Sequence, residues 1–223
     1  MLKKLAFAAI GTLSIGSVST ALAHNGLDLK EGYAGYMTAL TLNVNHGCKG
    51  SPITGLRIKV PEGITDARAA FNADWNVEYK MRDLETPIES HGRKITQVVD
   101  EITWTTKGEP LPANSWVPLQ FKMTLPDEPG KVLHIQNITT CVEGTDPYID
   151  LPETALDITD PDFAKKAWDF MIATDTPAPF LIIRQPEKKQ YQWEWTPEQV
   201  LGNYVAPDGV DGEDDQASLD TAQ

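Results

Sequence analysis

The chain has few basic residues and few of the side chains that hold metals through sulfur. Nineteen Lys and Arg face 32 Asp and Glu, for a formal net charge of −13, so the basic patches that bind a phosphate backbone are lacking. There are two cysteines and no Cys-x-x-Cys motif, Met-rich run or His-x-His pair. The composition therefore argues against nucleic acid as a partner and gives no support for a blue-copper or Cu(I) thioether site.

Long apolar runs are also scarce. The most apolar stretch is at the start, where two lysines precede residues 5–18 and Ala21-Leu22-Ala23 supplies a small-x-small cleavage pattern. This stretch is shorter than the roughly 20 apolar residues of a membrane span, and no later segment approaches that length. We therefore expect residues 1–23 to be a signal peptide and the working chain to begin at His24, exported and without a membrane span.

The two cysteines, Cys48 and Cys141, both lie after the predicted cleavage point. In an oxidising compartment such a pair predicts one disulfide. The bridge would close a loop of about 94 residues and contribute up to ~4–5 kcal/mol in the chain-entropy model. The alternative is a pair of thiolate metal ligands.

Short runs with alternating or continuous apolar character dominate residues 36–150 and are separated by turn residues rich in Gly and Pro. This spacing predicts an all-β fold, an antiparallel β-sandwich of the immunoglobulin or cupredoxin type or else a barrel. The predicted strands are 36–44, 54–60, 75–80, 97–104, 116–123 and 132–138.

One helix is added to this pattern. Asp160 can cap it and Pro161 suits its first helical position. The run 180–183 predicts a last strand or an extended segment on the core. The apolar face of the helix comprises Phe163, Ala164, Ala167, Trp168 and Met171.

The chain changes character after residue 186. Aromatic residues alternate through 191–195 and predict one more strand or a folded-back arm; on a strand, Trp193 and Trp195 would face the same way. Such tryptophans close a core, line a metal site or form a ligand platform. We divide the chain into a signal peptide (1–23), a β-sandwich (24–186), an aromatic extension (187–206) and a disordered acidic tail (207–223).

A histidine at the start of a chain is a special metal ligand. Its free α-amine and its imidazole Nδ1 can chelate one ion together, whereas any internal residue offers an amide nitrogen instead. Two nitrogens with a further N or O donor form the tetragonal set that Cu(II) prefers. Because the reference pKa is near 8 for the α-amine and near 6.5 for imidazole, deprotonating both at neutral pH costs little.

The other histidines offer a second ligand. His46 precedes Gly47 and Cys48, where a turn and a disulfide would hold it rigidly, and it is the candidate partner of His24; the alternative is a turn histidine bonded to the backbone. His91 lies in a polar loop and is expected to be solvated. His134 lies within a predicted strand and is expected to pack there.

These features together resemble the YcnI-like copper-binding domains, in the proteobacterial branch that joins a mature N-terminal histidine to a His-Gly-Cys turn. The similarity covers roughly residues 24–183. It is carried by His24, Ala34-Gly35, Leu42, Val44, His46-Gly47-Cys48, Gly50-Ser51-Pro52, Thr54, Leu56, Val60-Pro61-Glu62-Gly63-Ile64, Trp75, Ile102-Thr103-Trp104, Leu111-Pro112, Phe121, Cys141 and Pro177-Ala178-Pro179.

The resemblance implies a periplasmic β-sandwich that binds Cu(II) through a brace from His24 and serves copper handling with another periplasmic copper carrier or a membrane copper transporter. Some members add a glutamate from the first strand, where this chain has Thr38, and a tryptophan near the metal, which corresponds to Trp195. Candidates for the third ligand are therefore His46, Asp28 and Glu31.

Two other functions fit the same residues. A polysaccharide-cleaving copper oxygenase also begins with a histidine brace, and would need His46, His91 or His134 as its second equatorial histidine. A metal-free envelope domain would instead present loops or Trp193 and Trp195 to a partner. Of the three functions, we expect that of a Cu(II)-binding protein without enzymatic activity.

Overall fold

The computed structural model describes residues 24–90 and 92–202, without the side chains of Gln192, Leu201 and Gly202. The predicted signal peptide, His91 and the predicted acidic tail lie outside the described residues. Within them, strands dominate and two α-helices are present.

The strands and helices follow one another in a simple order. The bounds are β1 (Gly26–Leu27), β2 (Glu31–Tyr33), β3 (Met37–Val44), β4 (Ile53–Lys59), β5 (Ala67–Ala69), β6 (Trp75–Ser90), β7 (Arg93–Thr106), β8 (Val117–Thr124), β9 (Val132–His134), β10 (Asn137–Cys141), β11 (Thr145–Tyr148), α1 (Phe163–Ala173), β12 (Phe180–Arg184) and α2 (Pro197–Gly202).

Two antiparallel sheets form the sandwich. One has the strand order β1-β3-β8-β5 and the other β11-β10-β4-β7-β6. A third sheet, β2-β12-β9, contains a parallel pair, β2 with β12, which the purely antiparallel prediction did not include. The predicted all-β sandwich is otherwise confirmed.

Side-chain alternation explains how the two large sheets pack. Along β8 every second side chain is buried, and the same pattern recurs on β3, β4 and β7. Trp104 of β7 meets Phe121 of β8 across the sandwich, with ring centroids 6.3 Å apart. These inward residues form one continuous core.

The β6–β7 hairpin is longer than predicted. Its strands have 16 and 14 residues, whereas the sequence predicted only 75–80 and 97–104. Most side chains beyond Lys80 on β6 are exposed. Without a buried face there is no apolar alternation to mark these strand residues.

The helix begins later than predicted. Asp160 and Pro161 form a turn in which Asp160 Oδ1 accepts a hydrogen bond from the Asp162 amide (2.8 Å) and the Asp160 carbonyl accepts one from Phe163 (3.0 Å). The helix therefore starts at Phe163, and its Asp162 N-cap makes no side-chain capping bond. α1 packs on a small second cluster that includes Val132, Leu156 and Ala167.

The strand predicted at 191–195 is wrong, and the folded-back arm is correct. Residues Gln192–Glu194 form a 3-10 turn, followed by a second short helix, α2, that was not predicted. Tyr191 Oη accepts a hydrogen bond from the Met37 amide (3.0 Å), which fixes the arm at the start of β3. Trp193 and Trp195 consequently do not share a strand face.

No helix in the described part of the chain is both long and apolar enough to cross a membrane.

Candidate metal-binding cleft

An open cleft of about 730 Å³ is lined by His24 ahead of β1, the turn after β3, strand β11 and the loops at 113–114 and 175–176. Six of the residues that line it have ionisable side chains. These are His24, His46, Lys49, Asp146, Tyr148 and Asp175.

His24 is held at the rim of this cleft. Its carbonyl accepts a hydrogen bond from Asn45 Nδ2 (2.7 Å), and the following residues pair with β3 in antiparallel register. The imidazole lies edge-on to the ring of Tyr148, with centroids 5.8 Å apart. Its Nε2 is buried and has no hydrogen-bond partner among the described residues. A chelate with an α-amine forms through Nδ1, so this buried Nε2 is not the nitrogen that the brace would use.

His46 lies on the same cleft, in the turn that follows β3. Its Nδ1 is 3.0 Å from the Gly47 carbonyl oxygen and 3.8 Å from Asp146 Oδ2. Since a carbonyl oxygen only accepts, the hydrogen bond places the proton on Nδ1 and the lone pair on Nε2. Metal-binding histidines are oriented by such contacts from their other ring nitrogen.

Gly47 is required for sterics. A Cβ at this position would lie 2.0 Å from the Ser51 carbonyl oxygen and 3.1 Å from Ala113 Cα. Its amide also donates a 2.7 Å hydrogen bond to the Ala113 carbonyl. The backbone packing leaves space for hydrogen alone, so glycine follows the histidine.

The predicted disulfide between Cys48 and Cys141 is confirmed, with a Cα–Cα distance of 6.0 Å. Both cysteines are buried in the core. The bond joins the turn that carries His46 to the end of β10, which continues into β11. It therefore ties two sides of the cleft together.

β11 supplies two cleft residues that sequence reasoning missed. Tyr148 is buried, and burial together with the nearby charge of Asp146 raises the pKa of its phenol, which stays neutral. Asp146 lies near the ring of His46. No local motif marks either residue, because the β10–β11 hairpin is placed by the long-range pairing of β10 with β4.

Two predicted candidates for the third ligand lie elsewhere. Asp28 Oδ1 accepts hydrogen bonds from the amides of Leu29 (2.8 Å) and Thr41 (2.7 Å), and Glu31 pairs with Arg184 at 2.8 Å. Neither carboxylate lines the cleft.

Trp195 also lies away from His24. It donates to the Lys189 carbonyl (2.9 Å), and its neighbour Glu194 accepts from Tyr36 just before β3. His24 is bonded to Asn45, just after the other end of β3. At about 3.4 Å per residue, the eight residues of β3 separate the two by more than roughly 20 Å. The structure thus places His24 and His46, but not Trp195, on one cleft.

No three His, Cys, Asp or Glu side chains within residues 24–90 and 92–202 come together as a metal site. His24 and His46 line one cleft, with the Asp146 carboxylate beside them. The donors that line the cleft are imidazole nitrogens and carboxylate oxygens, and an α-amine at residue 24 would add a further nitrogen. These donors fit a borderline metal ion such as Cu(II) better than a hard cation.

Comparison with known proteins gives the fold and the family. The chain is similar to a solved structure, an uncharacterized protein from Nocardia farcinica whose crystal structure is described as revealing an immunoglobulin-like fold. The two are 14% identical with a TM-score of 0.50, over 74% of this chain and all of the other. No curated protein sequence matches.

A family model described as a domain of unknown function, DUF1775, matches residues 24–166. The match begins at the histidine on the rim of the cleft and includes His46, both cysteines and β11. The chain therefore belongs to the DUF1775 family.

Proposed function

We propose that this protein binds Cu(II) in the periplasm through a brace formed by His24, and that it sequesters the ion or passes it to another copper protein. The observation that carries the proposal is the convergence of His24 and His46 on one cleft. Cleavage after Ala23 would turn the backbone nitrogen of His24 into an amine at the rim of that cleft.

The proposed ligands follow from the chemistry of each donor. His24 supplies its amine and imidazole Nδ1, and His46 supplies Nε2, whose lone pair is left free by the Nδ1 contact to Gly47. The Asp146 carboxylate lies beside the His46 ring and supports its orientation. Three nitrogens and an oxygen form the tetragonal set that Cu(II) favours.

The resemblance to YcnI-like copper-binding domains supports the same assignment, since it includes the cleft residues His24, His46 and Gly47. Membership in DUF1775 is consistent with that resemblance. Periplasmic location follows from the predicted signal peptide and from the disulfide, which persists in oxidising compartments.

Carriage accounts for the cleft better than catalysis does. The cleft is open, so a second protein could reach a bound ion directly. Trp193, the most exposed tryptophan in the described part of the chain, is on the arm at the far end of β3, and the aromatic ring beside His24, Tyr148, is buried. Trp116, 66% exposed, lies nearer the cleft, because it follows the cleft residues Ala113 and Asn114 and its indole donates to Asn43 (2.9 Å). One exposed ring is less than the flat aromatic surface expected of a polysaccharide-cleaving oxygenase. We therefore propose a partner that exchanges copper, either a periplasmic carrier or a membrane copper transporter.

Electron paramagnetic resonance counts the proposed ligands. Protein beginning at His24, loaded with one equivalent of Cu(II), should give a tetragonal spectrum with coupling to three nitrogens. His46→Ala should lose one of them. His134→Leu, which removes a histidine outside the cleft, should leave the spectrum unchanged. An unaltered spectrum in His46→Ala would remove His46 from the site.

A further inference from the structure

Asn25 is a buried polar residue that makes two buried side-chain hydrogen bonds. Only 3% of its surface is exposed, although it directly follows the residue that starts the predicted mature chain. Its Nδ2 donates to Asn137 Oδ1 (2.8 Å) and to Thr139 Oγ1 (2.9 Å). Both acceptors are 1% exposed. A buried polar cluster at a chain start is unusual, because termini commonly fray.

The contact joins the two sheets of the sandwich. Asn25 directly precedes β1, which belongs to the first sheet, whereas Asn137 and Thr139 lie on β10 in the second. Asn137 is itself fixed, since its Nδ2 donates to the Ile135 carbonyl (3.1 Å). Asn25 therefore links the two sheets of the sandwich.

The two acceptors are also the cross-strand partners of two of the cleft residues on β11. Asn137 is paired with Tyr148, and Thr139 with Asp146. Paired residues on neighbouring antiparallel strands have side chains on the same face, about 5 Å apart. Through these pairs, the amide of Asn25 sets the spacing between His24 and the side of the cleft that holds Asp146 and Tyr148.

We infer that Asn25 is a positioning residue for metal binding, which holds the amine and imidazole of His24 in register with His46 and Asp146. The inference rests on the proposed Cu(II) function. A brace at a free terminus has several rotatable bonds, and a fixed neighbour reduces the conformations lost when the ion binds. Asn25 itself contacts no metal. It acts by orienting His24, as groups that contact only the metal ligands do.

The test uses Thr139, because a change there leaves the terminal residues and their processing intact. Thr139→Val removes one of the two acceptors of the Asn25 amide at nearly constant shape, whereas Thr139→Ser retains the hydroxyl. In protein that begins at His24, Thr139→Val should weaken Cu(II) binding about 10- to 100-fold, as the loss of a group that orients a metal ligand does. Its resonance spectrum should broaden as the ligand geometry becomes mixed. Thr139→Ser should behave as wild type.

Two further variants separate positioning from stability. Asn25→Ala should weaken binding at least as much as Thr139→Val. Ile64→Val, a change to a fully buried residue beside Pro61 that does not line the cleft, should lower the melting temperature and leave Cu(II) affinity unchanged.

The outcomes are distinguishable. If wild-type protein fails to bind Cu(II), the proposed function fails. If wild type binds and a folded Thr139→Val binds equally with the same spectrum, the function stands and the positioning role of Asn25 is overturned. Equal weakening in Ile64→Val would also overturn that role, because loss of stability alone would then explain the effect.

Discussion

His46 Nδ1 lies 3.8 Å from Asp146 Oδ2, although the two residues are a hundred positions apart in sequence. The contact joins the turn after β3 to strand β11, and the disulfide ties the same two segments a few residues away. With Nδ1 also against the Gly47 carbonyl, the imidazole has one orientation, with Nε2 left as its acceptor nitrogen.

Removing the Asp146 charge should weaken Cu(II) binding without removing a ligand nitrogen. Asp146→Asn keeps the shape but loses the carboxylate that supports the His46 ring, so affinity should fall by about tenfold. Competition titration measures the affinity, and the nitrogen count from electron paramagnetic resonance should stay at three. Asp175→Asn removes the same charge from the same cleft and should have a smaller effect. Equal losses in both variants would mean that Asp146 acts only through overall charge.

Gly47 should not tolerate a side chain. The Cβ of Gly47→Ala would lie 2.0 Å from a backbone oxygen, so the turn that carries His46 must move. We expect destabilisation of about 1–3 kcal/mol or more, measured by urea unfolding. Gly108→Ala is the matched control, because a Cβ there meets nothing within 4 Å; it should change stability by less than about 0.5 kcal/mol. Similar unfolding midpoints for the two variants would contradict the crowding at Gly47.

His134 should make the fold sensitive to acid. Its ring lies 5.7 Å from Phe170 of α1 and 5.6 Å from Phe180 of β12, and its Nε2 is buried without a partner in the described part of the chain. Burial lowers the pKa of His134 from 6.5 to about 4. The unfolded chain therefore takes up this proton at a higher pH than the folded chain does.

The direction of the pH effect follows from that difference. The contribution of His134 is complete above pH 6.5, is lost as the pH falls from about 6.5 to about 4, and reaches at most about 3 kcal/mol. Urea unfolding across this range measures it. His134→Leu should flatten the wild-type slope between those pH values, while both proteins share the carboxylate effects at lower pH. An unchanged slope in His134→Leu would show that another group is responsible.

The sequence predicts the sandwich because β3, β4, β7 and β8 each bury one face, and the resulting period of two is visible in the residues. It predicts the disulfide because two cysteines in an exported chain have one pairing. It misses the outer half of the β6–β7 hairpin, where both faces are exposed, and the start of α1, where Asp160 caps a turn that precedes the helix.

The site is only partly predictable. His24 and His46 carry chemical signals in their own neighbourhoods, a cleavage pattern for one and a Gly-Cys turn for the other. Asp146 and Tyr148 carry none, because the pairing of β10 with β4 and with β11 places them at the cleft. Asn25 carries none, because its two acceptors are 112 and 114 residues away in sequence. The local context of Trp195 predicts a tryptophan near the metal, but the fold of the C-terminal arm places Trp195 at the opposite end of β3.

The most direct measurement of the central claim is a Cu(II) titration of two forms of the chain that differ by one residue at the N-terminus. Protein that begins at His24 should bind the ion at least about 100-fold more tightly than protein that retains Ala23, because the extra residue turns the chelating amine into an amide. That loss of affinity exceeds the usual effect of changing a residue that only orients a metal ligand. Equal affinity in the two forms would contradict the brace.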